Sequence, residues 1–238
     1  MAPSSTITVD TVPLTPSAFA PFGTVLISPL SSATTTPPTP PPRGSISANQ
    51  GTALKFPDIA PVTSIYHTSP SGALAKPSMS LFSCFSRALR TSNGRQIFDV
   101  KVLERHPFTT QTFIPLATSS PSSSVITSTT KSIIIVAPTL PTPPPPPPSP
   151  PNLTPYSPQL QSKQGGPPDL KNLKAFMAEP GMGVTYGVGT WHAPMVVVGG
   201  RVDFVVVQHV SGRGDEDCQE VDVQGVEVVV EGAERAKL

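Results

Sequence analysis

No basic stripe runs through this chain, because sixteen Lys and Arg are met by fifteen Asp and Glu, leaving a formal charge of +1 over 238 residues. Nucleic acid, which selects clustered positive charge, is therefore not an expected partner. Cysteine is nearly missing. Cys84 and Cys218 are too few for a disulfide framework and suit a reduced, intracellular setting. No apolar run approaches the roughly 18 residues of a membrane helix, and the opening MAPSSTITVD lacks the basic and apolar blocks of a secretory signal. A soluble cytoplasmic protein without a membrane partner is the expectation. The last residues, Ala236, Lys237 and Leu238, carry the small, basic and leucine order of a peroxisomal address, which makes the peroxisomal matrix the alternative location.

What the chain has in excess is proline. Of 33 prolines, six fall in residues 29–42 and fourteen in residues 138–168. Such segments lack the apolar content to offset their ordering entropy, and proline removes backbone donors. The polar stretch TSSPSSSVITSTT at 118–130 extends the second of them. The expected organisation is one domain over 1–238, interrupted by disordered insertions at 29–43 and 117–168. A polyproline II ligand for a proline-recognising partner is the other reading of the same composition.

Helical periodicity is almost absent between these insertions. Short β-type runs dominate: VLIS (25–28), SLFSCFSR (80–87), IFDVKVLERH (97–106), QTFIPL (111–116), SIIIVA (132–137), LKAFMA (173–178), PMVVV (194–198), VDFVVVQHV (202–210) and VEVVVE (226–231). One short helix is predicted at Pro16, capped by Thr15 and carrying Phe19 and Phe22 on its apolar side. Many short strands with Gly and Pro turns predict an all-β sandwich or barrel.

Chemistry-bearing residues gather in two places. In VLERHP, strand alternation sends Glu104 and His106 to one face and Leu103 and Arg105 to the other. In GVGTWHAP, a glycine turn precedes Trp191, the only tryptophan, and His192. Each also has an ordinary structural reading, as a solvated strand face or a satisfied packing histidine. Asp203 and Gln208 differ in parity along one strand, so at most one of them faces a common site.

The strings VLERHPFTTQTFIPL (102–116), DLKNLKAFMAEPGMGVTYGVGTWHAPM (169–195) and DFVVVQHVSGRGDEDCQEVDV (203–223) resemble the ureidoglycolate lyase family, formerly called ureidoglycolate hydrolase, in a fungal form. LTPSAFAPFGTVL (14–26) and ANQGTA (48–53) are similar to it as well. The resemblance implies a cupin-like β-barrel, usually homodimeric, that splits (S)-ureidoglycolate into glyoxylate and urea in allantoin degradation. Collapse of such a carbinolamide needs a base for the hydroxyl and an acid for the departing nitrogen, roles that suit His106 and His192 with Glu104 in support. The substrate carboxylate needs a cation, and Arg87 matches the family's arginine position. Gln111, Asn49 and Gln50 would meet the ureido group, and Trp191 would wall the pocket. Glu104, His106, Gln111 and His192 also follow the order of the cupin metal ligands, with Glu and Gln replacing two of them. No metal is assigned and no cofactor is required on this reading, a loosely bound divalent ion being the alternative. Two further readings remain open: an amidohydrolase releasing ammonia from the same substrate, and a non-catalytic cupin-like scaffold displaying proline-rich loops.

Overall fold

Alternating and continuous apolar runs place this chain in strands, and a computed structural model describes residues 6–116, 130–141 and 165–231. The strands, in chain order, are β1 (Ile7–Pro13), β2 (Gly23–Leu26), β3 (Ile46–Ala48), β4 (Ala53–Lys55), β5 (Lys76–Cys84), β6 (Arg90–Ser92), β7 (Arg95–Arg105), β8 (Gln111–Pro115), β9 (Lys131–Ala137), β10 (Lys174–Ala178), β11 (Gly183–Tyr186), β12 (Trp191–His192), β13 (Val196–Val198), β14 (Val202–Val210) and β15 (Gln219–Val230). Helix α1 (Pro16–Phe19) forms as predicted. Thr15 accepts the Ala18 N–H as its cap, Pro16 opens it, and Phe19 is buried. A second single-turn helix, α2 (Gly214–Asp217), precedes β15.

Six strands close on themselves. The order β10-β1-β15-β7-β12-β9 returns to β10 through the β10–β9 pairing, so the fold is an all-β barrel with few helices. β1 runs parallel to both of its neighbours, whereas the other ring pairs with assigned direction are antiparallel. A second, five-stranded antiparallel sheet has the order β2-β11-β8-β14-β5. Alternation along β9 shows how the two layers join: Ile133, Ile135 and Ala137 enter one core, and Ile134 and Val136 enter the other. All six ring strands supply or pack against the first core, which is therefore the barrel interior. The second core, with Phe19, Phe113, Phe176, Val184 and Phe204, lies between the barrel and the five-stranded sheet.

The structure departs from the sequence reading in two ways. β1 was not among the expected strands, since most of its residues are exposed and its apolar signal is weak, yet it closes the ring. The expected insertion at 117–168 also cannot be one unit, because the strand read at SIIIVA (132–137) forms. β9 lies inside it, and six of that strand's seven residues are buried at the joint of both cores. Residues 117–129 and 142–164, where the rest of that insertion falls, lie outside the described residues, as do Ala236, Lys237 and Leu238. Residues 29–43 are described without strand or helix and follow turns such as the one closed by the Thr34 N–H on the Ser31 carbonyl. Among the described residues no helix is long and apolar enough to cross a membrane.

Ile135 is wholly buried in the barrel core. Ile135→Ala should lower the unfolding free energy by about 3 kcal/mol, read by urea titration, because it leaves a cavity that strands on both sides cannot close.

Candidate active site

The end of β7 divides its side chains between the two cores. Leu103 and Arg105 turn into the barrel, where the Arg105 guanidinium lies 4.4 Å from the Trp191 ring centroid and donates to Gln219 Oε1 at 2.7 and 2.9 Å. Arg105 also donates to the carbonyls of Gly165 and Gly166. Glu104 and His106 face outward into the cleft between barrel and sheet. The two-residue strand β12 is wedged between β7 and β9, with His192 opposite Glu104, so that Trp191 enters the barrel and His192 joins the cleft. The glycine turn before β12 is tied to the same place, since the Gly189 N–H donates to the His106 carbonyl. From the other layer, β8 contributes Gln111, β11 Tyr186 and β14 Gln208.

The hydrogen bonds define how these groups present themselves. His106 Nδ1 lies 2.6 Å from the Asp217 carbonyl, which can only accept, so Nδ1 carries the proton and Nε2 keeps its lone pair. That Nε2 is buried and unpartnered. His192 Nδ1 likewise donates to the Thr190 carbonyl at 2.9 Å, while its Nε2 lies 3.2 Å from Gln111 Oε1 and 3.5 Å from Glu104 Oε1. The Gln111 amide donates to Gln208 Oε1 at 3.0 Å. Tyr186 stacks on His192 with centroids 3.9 Å apart and a 12° interplanar angle, and the two histidine rings are 5.5 Å apart.

Burial and neighbouring charge set the proton affinities. Burial holds His106 down at about 4, and His192 beside it pushes in the same direction, so this ring is neutral near pH 7. Burial alone would raise Glu104, but the hydrogen bond and charge of His192, helped by His106, outweigh it and hold the carboxyl below its ordinary range. The Cys218 thiol, 3.8 Å from Glu104 Oε2, is pushed up to about 12 by burial and by the charges of Glu104 and Glu220, so it is a weak donor and not a thiolate. Burial and the Glu104 charge likewise keep the Tyr186 phenol protonated.

Glu104, His106 and His192 offer ligand atoms within 4.8 Å of one another. Both histidines give their Nδ1 proton to a backbone carbonyl, the arrangement that frees Nε2 for a metal, and the unpartnered Nε2 of His106 suits that use. The donor set therefore fits a divalent cation, with the Gln111 amide oxygen as a weaker fourth donor. Glu104, Cys218 and Glu220 form a second such group that shares Glu104.

Of the residues singled out in the sequence, Glu104, His106, Gln111 and His192 come together with Gln208 beside them; Arg87, Asn49, Gln50, Trp191 and Asp203 lie elsewhere. Trp191 fills the barrel core and donates its indole N–H to the Gly166 carbonyl, so it forms no wall of the cleft. Asn49 and Gln50 are exposed in the turn joining β3 to β4, with φ values of 49° and 53°. Arg87 is held at the other end of the barrel, where its backbone N–H meets the Val197 carbonyl and its guanidinium lies 5.4 Å from the Phe98 centroid. Phe98 precedes Glu104 by six residues on β7, roughly 20 Å of strand. The parity argument holds for Gln208, which reaches Gln111, while Asp203 turns the other way and pairs with Arg201. Sequence reasoning missed Tyr186, Asp217 and Cys218. Cys218 approaches Glu104 only because β15 pairs with β7 across more than a hundred residues, and no local pattern signals that.

A family model described as ureidoglycolate lyase matches residues 6–231. The chain belongs to the ureidoglycolate lyase family. Among its relatives, the ureidoglycolate lyase of Schizosaccharomyces pombe is 32% identical over 218 residues, covering 92% of this chain and 91% of that protein. That of Saccharomyces cerevisiae is 32% identical over 184 residues, covering 73% and 75%. A bacterial ureidoglycolate lyase from Burkholderia mallei is 29% identical over 202 residues, covering 84% and 81%. Membership in this lyase family directs attention to the cleft, where acid, base and amide groups converge, and away from the filled barrel.

The neutral burial of His106 has a consequence for stability. Between its ordinary value of 6.5 and its folded value of about 4, the unfolded chain binds a proton that the folded protein does not. Stability is therefore complete above about pH 6.5 and falls by up to about 3 kcal/mol as the pH drops toward 4. The lowered Glu104 adds a loss of the same sign at more acid pH. Equilibrium unfolding of chelator-treated protein at pH 7, 6 and 5 should show this slope, and His106→Asn should flatten it.

Proposed function

We propose that this chain cleaves ureidoglycolate into glyoxylate and urea, as a step of allantoin degradation, at the cleft formed by Glu104, His106, Gln111 and His192. The observation that carries the reading is the buried, unpartnered Nε2 of His106 beside the Glu104–His192 pair. The reaction moves one proton and consumes no water. His106 Nε2 accepts the proton of the substrate hydroxyl, the C–N bond breaks as the aldehyde carbonyl forms, His192 Nε2–H protonates the departing urea nitrogen, and the proton left on His106 then passes to His192 and restores both rings. Glu104 stabilises the imidazolium that this exchange requires. The Gln111 and Gln208 amides match the carbonyl and N–H groups of the ureido end.

The spacing of Glu104, His106 and His192 favours a second form of the same reading, in which these side chains hold a divalent cation. Such an ion would polarise the substrate hydroxyl and make its proton easier to remove. We further propose that the protein works as a homodimer, in the cytoplasm or in the peroxisomal matrix.

Purified protein should release urea and glyoxylate in equal amounts from racemic ureidoglycolate, consuming only one enantiomer, with turnover that survives a chelator. Loss on chelation with recovery on adding Mn²⁺ or Zn²⁺ would assign the metal-assisted form. Ammonia in place of urea would indicate amidohydrolysis, and no turnover at all would leave the scaffold reading. His106→Ala and His192→Ala should each lower kcat by about 100-fold or more while leaving the thermal unfolding transition cooperative.

A further inference from the structure

His106 serves as a base only while its proton stays on Nδ1, and the atom that keeps it there is the Asp217 carbonyl at 2.6 Å. That carbonyl sits at the end of α2, a single turn with no buried residue, too short to fix the direction of its last peptide groups by its own ladder. The side chain of the same residue supplies the anchor. The Asp217 carboxylate accepts at Oδ1 from the Tyr66 hydroxyl at 2.6 Å, the Ser211 N–H at 2.7 Å and the Ser211 hydroxyl at 2.8 Å, and at Oδ2 from the Gly212 N–H at 2.7 Å. Burial works against its charge, but these donors outweigh burial and hold the carboxyl below its ordinary range.

Tyr66 is the distant member of that set. It is buried, and its ring packs on Phe108 with centroids 5.5 Å apart. Its single hydroxyl proton has two acceptors in reach, the Asp217 carboxylate at 2.6 Å and the His209 carbonyl at 3.3 Å, and the nearer, charged one takes it. Residues 63–71 around Tyr66 are fastened on two sides. On one, the Ile65 N–H donates to the Phe108 carbonyl and the Thr110 N–H to the Thr63 carbonyl, while the Thr63 N–H meets the Thr110 hydroxyl. On the other, the N–H and hydroxyl of Ser71 both donate to the Glu216 carboxylate. The first side is the connector that runs from His106 to Gln111, and the second is α2. Tyr66 therefore braces the turn that carries the base against the helix that orients it.

We propose that Tyr66 and Asp217 are positioning residues of this site: the phenol holds the Asp217 carboxylate, and the carbonyl of that residue holds the His106 ring with Nε2 toward the cleft. The next residue extends the effect. The Cys218 thiol lies 3.8 Å from Glu104 Oε2, so the Asp217–Cys218 pair touches both ionisable side chains at the end of β7. Tyr66 and Asp217 act through His106 and not on the substrate, so their loss falls on kcat and leaves KM nearly unchanged.

The effect on turnover rests on the ureidoglycolate reading, whereas the effect on the imidazole does not. Tyr66→Phe keeps the packing on Phe108 and deletes only the hydroxyl, so it should retain a cooperative thermal transition. Its kcat should fall about tenfold, as is common when an outer partner of a site residue is removed. Asp217→Ala, which releases the carbonyl, should cost about 100-fold, and adding Tyr66→Phe to it should have no further effect, because the only route from the phenol to His106 is already cut. Nitrogen NMR of histidine-labelled protein at neutral pH, with the His106 signals assigned by their loss in His106→Asn, reads the ring directly. Wild type should show Nδ1 protonated and Nε2 bare, and Asp217→Ala should lose that preference. A wild-type kcat in Tyr66→Phe, an equal Tyr66→Phe effect with and without the Asp217 carboxylate, or an unchanged His106 tautomer in Asp217→Ala would overturn the proposal. Absence of turnover in the wild type would instead sink the cleavage reading and leave the NMR comparison to decide the positioning.

Discussion

The pairing of His192 with Glu104 is the contact on which the site depends. β12 is only two residues long, and it survives because β7 and β9 hold it from both sides. Its register decides which of two adjacent side chains enters the barrel and which enters the cleft. A slip of one residue would send Trp191 into the polar cleft and bury His192 in hydrocarbon, reversing every contact at once. The large indole therefore does structural service for the imidazole beside it. By filling the barrel and bonding to the Gly166 carbonyl, it fixes the strand that presents His192.

The closed barrel is consequently a support and not a container. Its interior is taken up by Ile, Val, Leu and Phe side chains, with Arg105 and Trp191 among its polar-tipped residues. The chemistry lies on the outside of this ring, in the layer shared with the five-stranded sheet. That position joins two sheets at one place: β7 and β12 bring the ionisable groups, and β8, β11 and β14 bring amides and the stacking phenol. Rotamers held from two layers suit proton transfers that tolerate little misplacement.

Burial gives the members of the site different electrostatic characters. His106 loses its charge to desolvation, Glu104 keeps its charge because His192 is beside it, and Cys218 and Tyr186 remain protonated. Two backbone carbonyls fix which imidazole nitrogens face the cleft, so the orientation of both rings is set by atoms that have no side-chain identity. The acidic cluster around Asp217 takes part in this indirectly. Its carboxylate is tied down by Tyr66, Ser211 and Gly212, which holds its carbonyl in place for His106.

Local pattern alone was enough to determine the all-β class, the capped helix at Pro16, the common face of Glu104 and His106, and the parity that separates Gln208 from Asp203. These depend on the two-residue period of a strand and on the chemistry of a cap, both written in a few neighbouring residues. The glycine turn before Trp191 already singled out His192, and the family motifs gave it and Gln111 their roles. Tertiary structure alone decided that β1 closes the ring, that the strand read at 132–137 joins both cores, that Trp191 faces away from the cleft, and that Arg87 lies a barrel's length from it. It also brought in Cys218, Tyr186 and the Asp217 carbonyl. Each of these follows from which strands pair and in what register, and pairing is settled by burial summed over contacts far apart in the chain, which no local window of sequence contains.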